Sequence, residues 1–507
     1  MNNRHKLSTE WAIFAGFLLL YLVFPNNNQG YDSYSYAISV KHGTDLFHPH
    51  HLLYNLFGYV IYRIFAFTDL GSMKILSLAN SILAAFTLVF IYKIIRHKAG
   101  EFMAALGSIL IGSLFTFWYC ATSVEVNMIA MFFLILALYF LIVKENSPSS
   151  PWLVYLFLCI GMLFHQHIAI AGIPIFIYYV YKFRSLGKAL RPAHPGILGG
   201  ALIYLVVAIQ HASQKNIKGI YEWMTEYTRV GAWGKFQLSA FRDSVWGVLK
   251  LFFGGEQIRQ MFYGGGHDYS TIIYIIFILI IFAGIGYLSI RAVYNFFKHR
   301  DPITIVLAAL AIVYALFTFW WAPTIDDFWL YPAVMFLIFM FITIIQKRYI
   351  RILIVSLTTL LLCINIACEF VPFSNKANSY IDQGVVAFER LQLTGDDLVI
   401  TNYSQVRLAY EYYTDIFVPT ACIMYLPLGD KDSVLAEYHA RIDSVAQVGQ
   451  VFTFEDELHP EPDRAYLFER FGVADYDSVY ARYFDRLVPI DSIMVHGRNV
   501  HIYKLTQ

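Results

Sequence analysis

Four loop regions of the sequence, the first of them in two parts, carry acidic or imidazole side chains where an apolar chain has little structural need of them. Asp32 and Tyr34 stand in "GYDSYSYA", and His48, His50 and His51 follow in "LFHPHHLLYN". Glu125 and Asn127 occur in "WYCATSVEVNMIAMFF", His165 and His167 flank Gln166 in "LFHQHIAIAGIP", and Asp326 and Asp327 sit in "WWAPTIDDFWLYP". A carboxylate at a membrane surface, among aromatic and imidazole groups, suits a general base that takes a proton from a hydroxyl. Cationic or hydrogen-bonding groups beside it suit the stabilisation of a departing phosphate. Arg63, Lys41, Lys74 and the basic residues of 212–269, Arg259 among them, are available for that task.

Each group also has a plainer use. A carboxylate at a helix start complements the helix dipole and caps backbone N–H groups. The tyrosines of 31–36 can form an interfacial aromatic belt, and His165 and His167 can be satisfied interface residues. Glu125 resists such a reading, because it opens an almost wholly apolar helix directly after another apolar run. An ionisable residue near membrane depth is costly and is a functional candidate by default. His48, His50 and His51 are metal-ligand types, but Pro49 stiffens the segment and neither a Cys nor a sequence-near carboxylate completes a set. No metal is therefore assigned, and a divalent ion is the lesser alternative; no other cofactor is called for.

The elements that must position these residues are membrane spans. Of 507 residues, 58% are hydrophobic and 14% charged, against about a quarter charged in soluble domains, and the mean hydropathy is +0.53. Apolar runs fall near 10–25, 72–95, 102–119, 125–143, 151–165, 167–183, 196–211, 270–291, 303–321, 327–346 and 350–369. That makes about eleven spans of the length a bilayer requires. The run 50–67 is ambiguous, since it holds two His, an Asn and an Arg. Basic loops mark the cytoplasmic side. If 50–67 only dips into the interface, Arg4/Lys6, Lys93/Arg96/Lys98, Lys182/Arg184/Lys188/Arg191, Arg291/Lys298/Arg300 and Lys347/Arg348/Arg351 all share one side with the N-terminus. If it spans, the later loops flip outward. The interfacial reading makes 26–71 the first extracytoplasmic loop and 212–269 the second large one. It also carries all four chemistry-bearing stretches to one outer rim. Within 212–269, the segment 241–266 is amphipathic and suits a membrane surface.

The N-terminal segment has a basic flank and no small-residue cleavage site, and reads as an uncleaved first span. From about residue 370 the composition becomes that of a soluble domain. "DLVIT", "DIFVPTA", "QVFTF" and "NVHIYKL" look like short strands, and they alternate with helical patterns such as "SVLAEYHARIDSVA". The expected organisation is thus a transmembrane body over 1–369 and an extracytoplasmic α/β domain over 370–507. A net charge of +1 and the lack of a basic, aromatic-rich stripe give no reason to expect a nucleic-acid partner. The five cysteines have no CxxC spacing, which argues against a disulfide framework or a zinc ribbon.

A first span followed by "GYDSYSYA" and "LFHPHHLLYN" resembles the start of the GT-C polytopic glycosyltransferases. "FWYCATSVEVNMIAMFFLILALYFL", "LFHQHIAIAGIP" and "WWAPTIDDFWLYPAVM" are similar, more narrowly, to the bacterial protein O-mannosyltransferase-like membrane family, over about residues 8–345. The resemblance implies juxtamembrane helices in the first outer loop, a polyprenyl-phosphate sugar donor, inversion at the anomeric carbon, and a bacterial inner-membrane location. Carried over by position, Asp32 matches the loop-one acid and takes the role of base, and Glu125 matches the second-loop acid. His48, His50 and His51 fall on a His-Pro-Pro type segment, and Asp327 on a glutamate-like position before an aromatic pair. With them, Tyr34, Asn127, His165, His167, Arg63 and Arg259 make the expected substrate-binding set. Two departures stand out: Ser33, Tyr34 and Ser35 follow Asp32 where many relatives have a second acid, and Pro49-His50 replaces a proline pair. The implied acceptor is a protein or glycan hydroxyl. The competing class is a transporter or flippase, which would place polar groups at the bilayer midplane on paired broken helices. A non-catalytic sensor working through the tail is a third reading, and it leaves the Asp32 loop without a task.

Overall fold

The computed structural model describes residues 3–212, 214–225, 234, 238–255, 269–401, 404–422, 431–458, 477–495 and 498–506. The chain forms two compact units. The first comprises Met1–Pro25, Gly43–Glu226 and Gly234–Val371; the second comprises Asn26–His42, Tyr227–Trp233 and Pro372–Gln507.

The first unit is helical. Among the described residues, six helices are long and apolar enough to cross a membrane: Ser72–Ala99, Leu186–His211, Ile272–Lys298, Pro302–Trp321, Asp326–Thr343 and Arg348–Ser374. Thr9–Val23, Val126–Ile142 and Ser150–Phe164 are shorter apolar helices. The run expected to be one straight span over 102–119 is instead broken. Helix Glu101–Gly112 and helix Phe115–Thr122 meet at 70°. Leu114 is extended there, with φ −62° and ψ 136°, which frees backbone groups of the helical ladder. At membrane depth such groups must be satisfied by protein. Buried Asn365 does so, its Nδ2 donating to the carbonyls of Ser113 and Phe252 at 2.7 Å each. A second asparagine guards the other end of the short helix. Asn80 Nδ2 donates to the carbonyls of Ser123 and Glu125 at 2.8 Å each. Helix Phe115–Thr122 is therefore held between two amide clamps.

The segment over 50–67 becomes helix Tyr54–Ile64, of 11 residues. At about 1.5 Å rise per residue it is too short to span. Two helices divide 151–183 at the "FHQH" stretch: Ser150–Phe164, then Gly172–Phe183 after a 3-10 turn over Gln166–Ala171. Charged side chains gather several basic segments at one end of the bundle. Glu10 pairs with Arg96 at 2.8 Å and Lys93 at 3.2 Å. Lys98 approaches Asp301 at 3.5 Å, and Gln346 donates to the carbonyl of Ala99.

In the second unit, β1 (Leu398–Thr401), β2 (Thr420–Cys422), β3 (Val451–Phe454), β4 (Leu487–Val495) and β5 (Arg498–Leu505) form one sheet in the order β2-β1-β3-β5-β4. β1 pairs in parallel with β2 and β3, and β5 pairs antiparallel with β3 and β4. Leu398, Ile400 and Val451 pack with Tyr438 and Ile442 of helix Lys431–Val448 and Tyr480 and Tyr483 of helix Asp477–Phe484. Helix Tyr31–His42 belongs to this same unit and packs on helix Gln405–Thr414.

Candidate active site

The helical unit brings three of the four chemistry-bearing stretches, and the histidine part of the first, into one neighbourhood. Helix Phe115–Thr122 is its floor. The Thr116 hydroxyl donates to Asp326, and Lys250 of helix Ala240–Phe253 reaches the other Asp326 oxygen at 3.5 Å. One turn on, Cys120 Sγ points to Asp327 Oδ1 at 3.7 Å. Glu125, Asp326 and Asp327 all act electrostatically on Tyr119 and Cys120, and Glu125 acts on Tyr54 as well. Three carboxylates from two segments thus surround one helical turn. Glu125 is buried and precedes the first turn of helix Val126–Ile142.

A second group abuts the first. The ring centroids of His51 and His165 are 4.7 Å apart, those of His165 and His167 3.9 Å, and those of His167 and Tyr331 4.0 Å. The Tyr331 hydroxyl closes the series on Asn127, donating to its carbonyl at 3.0 Å. Gln166 ties the two histidine segments together. Its Nε2 donates to the carbonyl of Pro49 at 2.8 Å, which leaves Oε1 facing His50 Nδ1 at 3.1 Å. That orientation assigns the proton of His50 to Nδ1.

These imidazoles are neutral at physiological pH. Burial pushes the pKa of His48 down to about 4, with the nearby His50 adding to the effect. Burial also brings His50 down to about 4, against the opposing bond from Gln166. His51 is lowered by burial and by its imidazole neighbours. Neutral rings bind hydroxyls and amides, not phosphate, by charge. Among the described residues, no group of three or more His, Cys, Asp or Glu side chains has the geometry to hold a metal ion.

Asp32 lies in the second unit, in the first turn of helix Tyr31–His42. Its side chain is exposed. Yet protein surrounds the carboxyl out to a longer radius, and the lost hydration raises its pKa to about 6. The helix N-terminus favours the charged form, but desolvation prevails. The result is a carboxylate that water can reach and that takes a proton near neutrality. Tyr34 is buried two residues on, its ring 6.3 Å from that of Tyr412.

One expected residue stands apart from these groups. Arg63 is exposed in the last turn of helix Tyr54–Ile64, over the ring of Tyr59 at 5.9 Å. Arg259 lies outside the described residues, as does the part of the amphipathic segment beyond residue 255. Lys41 is already engaged by Asp415 at 2.7 Å. Sequence reasoning overlooked Glu369, a fully buried carboxylate in the π-helical turn Ile366–Phe370. The Tyr274 hydroxyl lies against it. Gly254, at φ +68°, passes so close that a Cβ there would meet Glu369 Oε2 at 2.6 Å. The signal that singled out Glu125, an acid inside an apolar run, was equally present in "INIACEFV".

Comparison with known proteins adds a family match over part of the chain and a fold. Residues 46–213 match the family model described as dolichyl-phosphate-mannose-protein mannosyltransferase. That segment holds the histidine, Glu125 and His165/His167 stretches. No curated protein matches the sequence. Among solved structures, the oligosaccharyltransferase of Archaeoglobus fulgidus tethered to an acceptor peptide superposes with a TM-score of 0.56 at 12% identity, covering 99% of this chain and 74% of that one. The same organism's AglB, in complex with an inhibitory peptide and a dolichol-phosphate, gives 0.54 at 12% identity, covering 95% and 73%. ArnT from Cupriavidus metallidurans covers 98% of each chain at 11% identity, with a TM-score of 0.44. The chain has the GT-C fold of a polytopic membrane protein with a C-terminal sheet domain.

Proposed function

We propose that this protein is an integral-membrane glycosyltransferase that moves a sugar from a polyprenyl phosphate to a protein or glycan hydroxyl at the outer face of a bacterial inner membrane. The observation that carries the reading is Asp32, an exposed carboxylate in the first turn of helix Tyr31–His42 on a GT-C fold, which desolvation raises to about 6. A base is most useful with a pKa near the working pH. The match of 46–213 to a dolichyl-phosphate-mannose-dependent family supports the donor class, and the peptide and dolichol-phosphate held by AglB support both partners.

In this reading Asp32 takes the proton of the acceptor hydroxyl as its oxygen attacks the anomeric carbon. The bond from that carbon to the phosphate oxygen breaks, the polyprenyl phosphate leaves with the bonding pair, and the anomeric configuration inverts. Asp32 then returns its proton to water. Lys250, which reaches Asp326 at 3.5 Å, is suited to meet the leaving phosphate, with Asp326 holding it in place. Glu125, Asn127, Asp327 and the neutral histidines are suited to sugar or acceptor hydroxyls. In this reading the N-terminus is cytoplasmic and the tail lies outside, where it would help choose the acceptor. A transporter would share the broken helix Glu101–Thr122, but that is the single such pair found among the described residues.

The test uses the full chain in lipid nanodiscs with radiolabelled undecaprenyl-phosphate-linked mannose, glucose and aminoarabinose. Release of undecaprenyl phosphate from one of them, lost in Asp32→Asn at an unchanged melting temperature, is the expected result. Full activity in Asp32→Asn overturns the assignment of the base. Uptake of donor into sealed vesicles without cleavage would favour the transporter.

A further inference from the structure

We infer that the C-terminal domain itself sets the position of Asp32, through a clasp made by Lys41 and Asp415 and by Tyr34 with Tyr412 and Tyr413. The inference rests on the reading of Asp32 as base and makes these five positioning residues. Helix Tyr31–His42 is fastened to the C-terminal body at both ends. Just before the helix, the Asn27 N–H donates to the carbonyl of Phe373 at 3.0 Å, and its Nδ2 donates to the carbonyl of Ser374 at 2.6 Å. At the far end, Lys41 Nζ meets Asp415 Oδ1 at 2.7 Å and donates to the Tyr412 carbonyl at 2.8 Å. Its ammonium also lies 5.4 Å from the centre of the Tyr412 ring, and His42 Nε2 is 3.2 Å from Asp415.

Between these ends, buried Tyr34 touches the Tyr412 ring and hydrogen-bonds with Tyr413. Asp32 falls between the Asn27 anchor and the Tyr34 contact, so its place is defined relative to the C-terminal body. The geometry at the receiving end is equally specific. Asp415 caps helix Gln405–Thr414 in the left-handed conformation, at φ 59°. That turn presents its carboxylate beside the last helical carbonyls, so Lys41 satisfies both and complements the negative end of the helix dipole. An exposed ion pair adds little to global stability. Asp415 is 57% exposed, so loss of the pair should alter where the helix sits more than whether the protein folds.

The test compares wild type with Lys41→Met, Asp415→Asn, Lys41→Arg and Asp32→Asn in the full chain in nanodiscs. Asn is chosen at 415 because it tolerates the left-handed conformation. Two readouts are taken: hydrogen exchange of residues 31–42 by mass spectrometry, and release of undecaprenyl phosphate from undecaprenyl-phosphate-linked mannose, glucose or aminoarabinose, whichever the wild type cleaves. Lys41→Met and Asp415→Asn should speed exchange at least threefold and lower kcat at least threefold, with KM and melting temperature unchanged. Lys41→Arg should restore both. Wild-type exchange in Lys41→Met and Asp415→Asn overturns the clasp, and this arm needs no turnover. Wild-type kcat in both, with Asp32→Asn inactive, removes the positioning role alone. Activity in Asp32→Asn removes the base, and this inference with it.

Discussion

The carboxylate of Asp32 and those of Asp326 and Asp327 are the same chemical group in opposite settings. Asp326 accepts from Thr116 and pairs with Lys250, and Asp327 receives the thiol of Cys120. Both open helix Asp326–Thr343, in its first turn. Asp32 also stands in a first helical turn, but no hydrogen bond or ion pair among the described residues engages its carboxylate. Desolvation raises it to about 6. The contrast teaches that a helix start does not decide a carboxylate's role. What decides it is whether donors occupy its lone pairs: occupied, it organises its neighbours; open, it is left to exchange a proton.

The contrast is broken most directly by amide substitution. Asp32→Asn keeps shape and removes basicity, so turnover should fall by about 10²–10⁴-fold, the usual contribution of a general base. Asp326→Asn, by the same assay, should cost far less turnover. Equal losses at the two positions would erase the distinction. The next effect is pH. Below about 6 Asp32 is protonated, and kcat/KM should fall about tenfold per pH unit, as for any single essential base. A flat profile from pH 7 to 5 would show that another group takes the proton.

How much of this could be read from the sequence depends on the distance over which the cause acts. Hydropathy acts locally, so the apolar helices, the short helix Tyr54–Ile64 and the break at His165–His167 follow from composition and length. Three of the strands follow from β-branched runs, and β2 forms at the end of a fourth, whereas β4, "LVPIDSIMV", is masked by Pro489, Asp491 and Ser492. The break at Ser113–Leu114 is not visible locally. It is stabilised by Asn365, more than 250 residues away by the separation of 252 between the bonded residues. The same holds for Lys250 beside Asp326 and for Lys41 on Asp415, whose partners are fixed only by folding. Residue types announce candidates, but which carboxylate is tied and which is open is a tertiary fact.

A smaller effect sharpens the tied side of the contrast. Asp326→Ala removes the acceptor of the fully buried Thr116 hydroxyl as well as the partner of Lys250. Leaving one buried donor unsatisfied costs about 1–3 kcal/mol. Thermal unfolding in detergent should therefore begin at lower temperature in Asp326→Ala, and Thr116→Val combined with it should recover part of the loss. Asp32→Ala should not lower the midpoint. If it does so as much as Asp326→Ala, Asp32 is a structural carboxylate after all.

The last effect lies in the slope of stability with pH, where Asp32 and the histidines have opposite signs and partly offset each other. Asp32 has a folded pKa of about 6, above its ordinary value of 3.8. The folded state holds more protons, so its contribution is complete below about 4 and is lost as pH rises through 6. His48 and His50 have folded pKa values of about 4, below the ordinary 6.5. The unfolded state holds more protons there, so their contribution is complete above 6.5 and is lost as pH falls through 4. Between pH 4 and 6 the two trends partly cancel in the wild type. Removing one side at a time separates them. In Asp32→Asn the melting temperature should fall more steeply on acidification than in the wild type. With His48→Gln and His50→Gln combined, that fall should flatten. An acid slope identical in all three proteins would mean that neither the open carboxylate nor the buried imidazoles keep their shifted protonation in the folded chain.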